Sequence, residues 1–345
     1  MPKLGIEIAY SGAHMNLPME RILKAERLGF DAVWSAEAYG SDAFTPLAFI
    51  AAQTKRLRLG TGIAQLAARP PANCAMVAQT LEDLAGHGRV IVGLGVSGPQ
   101  IVEGWYGQPW GKPADRIRDY VAIMRKIWKR DGPVVHEGKE ISLPYSGPGS
   151  TGLGKPLKSI LHGNPDIPVL LGTSTPGNIR MTGEIADGWL TMHVIPQDLP
   201  GKLKSIEEGL AKRKDGKTLD DFEIAAPVRV HITDDIKASL DAMRPIIALY
   251  VGGMGAKSKN FHKDNMIARG YAQEAERIQE LFLAGRKDEA EAAVPEQFLD
   301  DNGLVGSRER IAERFKAWRD SRFTHLRLVN VDEESMDYIA RINDA

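Results

Sequence analysis

A glutamate that a strand would aim into the protein interior carries the most chemistry in this sequence. In Lys3–Ala9, reading KLGIEIA, strand alternation sends Leu4, Ile6 and Ile8 to one face, and Gly5 and Glu7 to the other. The apolar set belongs against neighbouring helices, so Glu7 faces inward. A carboxylate there is stable only when it is paired or used. Glu7 is therefore the leading acid–base candidate, with a structural role in a buried hydrogen-bond network as the competing reading. A second feature, Pro168–Trp189, reads as a short strand, a turn of Gly172, Thr173, Ser174 and Thr175, and a helix opened by Pro176. Amides at such a helix start attract phosphate. A strand–turn–helix unit capped by Ser or Thr is equally an ordinary structural device. Glycines recur at Gly60 and Gly62 on one strand and at Gly93 and Gly95 on the next. Singly they read as strand ends or bulges; together they suggest a floor on which a flat ring can lie against backbone.

Other reactive types are more isolated. Glu37 and Asp42 follow the second strand, Asp42 in a position to cap the next helix, and His193 closes the sixth. A lone histidine is more often structural than catalytic. Glu103, Trp105 and Tyr106 follow the fourth strand, where the aromatics either wall a pocket or staple a loop. No His, Asp and Glu pattern has metal-ligand spacing, and Ser97 lacks the frame of a nucleophile elbow.

These residues need a scaffold, and the hydropathy pattern supplies one. Strand patterns occur at Lys3–Ala9, Ala32–Ala36, Leu57–Thr61, Val90–Gly95, Val169–Gly172, Trp189–His193, Glu223–Ile232 and His325–Asn330. Helical patterns separate them, among them Met19–Leu28, Pro46–Thr54, Ala72–Ala85 and Ala114–Lys129. Eight strand–helix units suit a (β/α)8 TIM barrel of parallel strands, with a doubly wound open sheet as the alternative. The 345 residues then form a single domain with insertions at about 131–167, after strand 4, and about 251–306, after strand 7. The first contains a hairpin pattern, PVVHEGKEISLP; long excursions of this kind commonly serve as lids or interfaces.

Composition narrows the partners. Basic and acidic residues number 44 and 45, for a net charge of −1, which gives no footing for nucleic acid. The single cysteine, Cys74, rules out an internal disulfide framework and a cysteine-built metal site. No run reaches membrane-spanning length, and the N-terminus reads as a strand rather than a signal peptide, so the expected location is cytoplasmic.

Four runs carry a resemblance: GFDAVWSAEA, RLRLGTGIAQLAARPPANCAM, GRVIVGLGVSGPQIVEGWYG and LLGTSTPGNIRMTGEIADGW. In order and spacing they resemble the bacterial luciferase-like superfamily, most of all its coenzyme F420-dependent oxidoreductases, similar to methylenetetrahydromethanopterin reductases. The resemblance implies a non-proline cis peptide at Gly62–Ile63 against the deazaflavin ring. It implies a proposed acid at Glu7, and a cofactor phosphate held by backbone amides of Gly172, Thr173, Ser174 and Thr175. It also implies a homodimer and a small-molecule substrate. Departures are visible: Ala38 stands where many relatives have histidine, and Thr175-Pro176-Gly177 replaces a common Gly-Pro-Lys. Val96 replaces the glutamate of the branch's sugar-phosphate dehydrogenases, which argues against that activity.

The expected reaction is hydride transfer between F420 and a small organic substrate, with Glu7, Glu37 and His193 as catalytic candidates. Gly62, Ile63, Gly93, Gly95, Gly172, Thr173, Ser174 and Thr175 are the cofactor candidates. The anionic F420 tail calls for basic groups at the barrel mouth, offered by Arg69, Lys112, Arg116, Lys155, Lys158, Lys257 and Lys259. The alternatives are an FMN-dependent monooxygenase, a non-catalytic flavin-binding protein, and a glycosidase using Glu7 with Glu37.

Overall fold

The computed structural model describes residues 1–255 and 260–344, which places Lys257 and Lys259 outside the described residues. Eight strands form the barrel: β1 (Lys3–Glu7), β2 (Ala32–Ser35), β3 (Arg58–Thr61), β4 (Val90–Gly95), β5 (Val169–Gly172), β6 (Gly188–Leu190), β7 (Glu223–Ile232) and β8 (His325–Val329). Each pairs in parallel with its successor, and β8 returns to β1. The sheet is closed, a (β/α)8 barrel rather than an open sheet.

Alternation sorts the side chains of every strand. Leu4, Ile6, Val33, Leu59, Val92, Val169, Leu171, Val228, Leu326 and Leu328 face outward into one large core shared with the helices. The helix Pro113–Lys129 shows the matching stripe, burying Ile117, Tyr120, Val121, Met124, Ile127 and Trp128 at three- and four-residue intervals. The opposite strand faces fill the barrel with Ala32, Trp34, Ile91, Leu170, Leu190 and Ala225, and Ile63 packs against them. At the N-terminal end Arg58 meets Asp31 at 2.6 Å and Glu223 at 2.8 Å, with His325 beside it. Burial alone would raise the Asp31 pKa. The His325 hydrogen bond and the Arg58 charge outweigh it and hold Asp31 well below the usual carboxylate range.

The excursions differ from their expectation in instructive ways. The predicted hairpin is reduced to one antiparallel bridge, His136 with Leu143. Asp119, on the helix Pro113–Lys129, accepts the amides of Glu140 (2.7 Å) and Ile141 (3.0 Å), and its other oxygen meets His136 Nε2 at 3.1 Å. Those turn amides bond a carboxylate instead of extending a ladder. The second excursion is helical and builds its own small core around Ile247, Met266, Ile278 and Phe298. It ends in a strand the sequence did not announce, Gly303–Gly306, which lengthens the sheet beside Arg229–Ile232. Expected strands also stop early: β1 ends at Glu7, before Ala9 at φ 46°, and β6 ends at Leu190, before His193 at φ 53°.

The interior glycines make room for protein, not for an open floor. A Cβ on Gly60 would lie 2.4 Å from Trp34 Cε3, and one on Gly93 would lie 1.9 Å from the Thr61 carbonyl and 2.5 Å from Leu190 Cδ1. Trp34 is fully buried, so its ring has nowhere to go. Gly60→Ala should therefore lower stability by about 1–3 kcal/mol, the usual range for overpacking. A chemical-denaturation midpoint equal to that of the native chain would show that the barrel relaxes around the methyl group.

Candidate functional site

The polar centre of the barrel is an ion pair between its first and last strands. In the β1–β8 register Gly5 lies beside Arg327 and Glu7 beside Val329. Arg327 points inward between the outward-facing Leu326 and Leu328, and it is 3% exposed. Its Nη1 lies 3.0 Å from Glu7 Oε2, and its Nη2 donates to the Thr191 carbonyl at 3.2 Å. The guanidinium also sits 5.8 Å from the Trp34 ring centre. A Cβ on Gly62 would come within 2.9 Å of Arg327 Nη1, which explains a glycine there. The Glu7–Arg327 contact is close but not aligned as a hydrogen bond. Glu7 Oε2, Arg327 Nε, Thr191 Oγ1 and Trp34 Nε1 are buried without hydrogen-bond partners among the described residues. Buried polar atoms left open in this way need an explanation, and a polar ligand is one.

Sequence reasoning placed Glu7 correctly inside but missed Arg327. The signal was present: an arginine at the inward position of HLRLV can only be buried against a counter-charge.

Beside the pair the backbone bulges. The Gly62–Ile63 peptide bond is cis. The β3–β4 ladder stops at Gly60–Ile91 and resumes as Ala64–Leu94. Across the gap Thr61 Oγ1 accepts the Gly93 amide and donates to the Gly93 carbonyl, both at 2.8 Å. The Gly62 amide donates to Ser35 at 2.7 Å, and the Ile63 carbonyl accepts from Glu37 at 3.1 Å. Added Cβ atoms on Gly95 and Gly172 would lie 2.9 and 3.0 Å from the Ile63 side chain. Those glycines seat Ile63, and the bulge, not the glycine backbone, presents the surface at the mouth.

Glu37 serves this bulge. Its Oε1 meets Arg69 Nη2 at 2.6 Å, and its Oε2 accepts the Gln65 amide at 2.8 Å and Arg69 Nη1 at 3.2 Å. Both oxygens are engaged, which gives Glu37 a positioning role and removes the Glu7–Glu37 glycosidase pairing. Arg69 is engaged by the same bonds, and Arg116 by Glu140 and the Pro109 carbonyl. Neither is then available to an anionic tail; Lys112, Lys155 and Lys158 are exposed.

The hydroxyl-rich turn is also partly engaged. Thr175 caps the helix Pro176–Ile185 by accepting the Asn178 amide. Thr173 Oγ1 bonds Thr182 Oγ1 at 2.8 Å, and its carbonyl accepts Trp189 Nε1 at 2.8 Å. Ser174 and Gly177 are exposed, and the Gly177 amide lies in the first turn, where helix amides have no intrahelical partner. His193 lies beyond β6, its ring 6.0 Å from His262 and 5.9 Å from Phe298. Burial, with His262 and Arg269 adding to it, lowers its pKa to about 3, so the imidazole is neutral at pH 7. Asp42 caps the following helix through the Phe44 and Thr45 amides. Tyr106 reaches the Ala38 carbonyl as a loop staple, and Trp105 is exposed. Among the described residues no cluster could hold a metal ion, and no helix is long and apolar enough to cross a membrane.

A luciferase-like monooxygenase family model matches residues 8–325. The chain is 45% identical over 326 residues to a Mycobacterium tuberculosis protein named "Putative coenzyme F420-dependent oxidoreductase Rv3520c", covering 94% of each. Among solved structures it is similar to the coenzyme F420-dependent tetrahydromethanopterin reductase of Methanopyrus kandleri. There the TM-score is 0.78 at 23% identity, over 99% of this chain and 97% of the other. An F420-dependent secondary alcohol dehydrogenase, solved with an F420-acetone adduct, follows at TM-score 0.76 and 18% identity, over 99% and 98%. At such identities the structures speak for the fold, while the family model and the mycobacterial relative speak for descent. The chain belongs to the luciferase-like monooxygenase family, in its coenzyme F420-dependent oxidoreductase branch.

Proposed function

We propose that the protein transfers a hydride between coenzyme F420 and a small organic substrate, with Glu7 handling the accompanying proton. The observation that carries this reading is the buried, unaligned Glu7 Oε2, whose partner Arg327 Nη1 lies against Gly62 of the Gly62–Ile63 bulge. The residues present fit a flat, phosphate-bearing cofactor. Ile63 and its backbone offer a face for the ring, and Ser174 with the Gly177 amide offers an anchor for the phosphate. When bound, the deazaflavin supplies a hydride at its ring carbon C5.

The chain's own part is to position and to move a proton. Arg327 bridges Glu7 and the Thr191 carbonyl, and so fixes where the carboxylate can point. Oε2, with no hydrogen bond of its own, is the atom from which a proton reaches or leaves the substrate. Trp34 and Leu190 fill the barrel interior beneath, and Glu7 Oε2 is buried from water.

Glu7→Gln should preserve the fold and F420 affinity while reducing turnover by roughly 10²–10⁴. Unchanged turnover at saturating cofactor would remove Glu7 from the chemistry. Arg327→Met strands a buried carboxylate and should cost about 3–5 kcal/mol in denaturant stability. Arg327→Lys should recover part of that loss, because it restores the charge but not the two-pronged bridge. Equal stability of the Met and Lys proteins would show that the pair does not hold Glu7 in place.

The cofactor is tested by titration. F420 should bind more tightly than FMN, and the preference should shrink as salt rises, because the exposed Lys112, Lys155 and Lys158 are screened over about 8 Å at physiological salt. Ser174→Asp should weaken F420 binding by charge repulsion at the helix start. Tighter FMN binding, with substrate-dependent oxygen uptake, would move the protein to the monooxygenases; unaltered affinity in Ser174→Asp would place the phosphate elsewhere.

A further inference from the structure

The barrel mouth has a second wall, contributed by the excursion after β7. The helices Arg244–Gly253 and Phe261–Ala268 are stapled to the barrel and to each other. Asn265 Nδ2 donates to the Met192 carbonyl, just past β6, at 2.9 Å. Asn260 caps the second helix through the His262 and Lys263 amides, and its Nδ2 donates to the Tyr250 and Val251 carbonyls. These bonds bring rings into a row. Tyr250 lies 4.6 Å from His262, and His262 lies 6.0 Å from His193. At the barrel end of the row Tyr10, which follows β1, and Glu7 both act on the Tyr250 phenol and disfavour its ionised form.

This wall carries no net charge of its own. Burial lowers the His262 pKa to about 4, and both imidazoles are therefore neutral at pH 7. Burial, Tyr10 and Glu7 together push the Tyr250 phenol well above its usual value, so it stays protonated. The nearby guanidiniums are already paired, Arg327 with Glu7, and Arg269 with Asp301 (3.0 Å) and Asp198 (3.6 Å). A surface of this kind offers π faces and neutral donors. It would strip water from an anion without supplying a counter-charge.

We infer that Tyr250 and His262 form the substrate-contacting wall beside Glu7, and that they receive an uncharged, flat-ringed substrate whose oxygen bonds the Tyr250 hydroxyl. The inference rests on the oxidoreductase reading of the Glu7 site and adds the substrate class and its specificity residues.

Acetophenone and benzoate form a shape-matched pair, one neutral and one anionic. Each is titrated into the F420-loaded protein and followed by saturation-transfer NMR on its ring protons. F420 affinity is measured separately by its fluorescence. Acetophenone should half-saturate at a concentration roughly tenfold or more below that of benzoate. Tyr250→Ala and His262→Ala should each weaken acetophenone roughly three- to tenfold, the range for losing one ring contact, with F420 affinity unchanged. If either alanine protein fails to fold by circular dichroism, Tyr250→Phe and His262→Gln replace it. They keep the volume and should weaken acetophenone roughly threefold through the lost hydroxyl or π face. Benzoate binding as tightly as acetophenone, or variants indistinguishable from the native chain, would overturn the wall while normal F420 binding leaves the oxidoreductase reading standing. Failure of the native protein to bind F420 would overturn that reading, and the wall's substrate with it.

Discussion

Much of this barrel is arranged around one indole. Trp34 enters from β2 with no exposed surface, and its ring spans the interior toward β1, β3 and β8. A Cβ on Gly5 would lie 2.9 Å from its Nε1, and one on Gly60 would lie 2.4 Å from its Cε3. Close packing leaves no alternative position for so large a group. The neighbouring strands must therefore be glycine at those points. Arg327 then lies over the indole, and its guanidinium shares the remaining space with Gly62. The level at which charge enters the barrel is thus set by an apolar ring.

That charge is expensive to keep. Two ions removed from water recover their desolvation cost only when geometry is good and their remaining hydrogen-bonding capacity is met. Here the pair is close at 3.0 Å, yet Glu7 Oε2 and Arg327 Nε lack aligned partners. The Arg58 cluster at the opposite end makes the useful contrast. It has the same ingredients, but Arg58 is hydrogen-bonded to both Asp31 and Glu223. One end of the barrel is a completed network and serves stability. The other is incomplete, and incompleteness at buried polar groups is where ligand chemistry belongs.

The sequence made the scaffold legible because a barrel strand has a two-residue period and two different environments. Val90–Gly95, Val169–Gly172 and Glu223–Ile232 were readable to the residue for that reason. Glu7 was legible from the same alternation. What failed were features decided across the barrel. Nothing local in SAEAYG reveals that Glu37 will be clamped by Arg69, 32 residues away. The serine and threonine hydroxyls of GTST looked equivalent in one dimension. In three, Thr173 turns back to Thr182 and Thr175 caps the helix, while Ser174 is exposed. The glycines were recognised as a group, but their purpose was misread because the bulky partners that need them sit on other strands.

The two ends of the site answer to different parts of the chain. The bulge, the ion pair and the hydroxyl-rich turn after β5 all come from barrel strands and their immediate loops, where the closed sheet fixes backbone to backbone. The row of rings comes from an excursion with its own core, held to the barrel by bonds such as Asn265 to Met192. A substitution in that second core acts first on Tyr250 and His262, which sit on its helices, while Glu7 belongs to a barrel strand paired on both sides. The reverse does not hold: displacing Thr191 or Met192 disturbs both Arg327 and the staple of the excursion at once. The three residues after β6 therefore couple the Glu7–Arg327 pair to the surface beside it, and the chain turns there at His193, φ 53°.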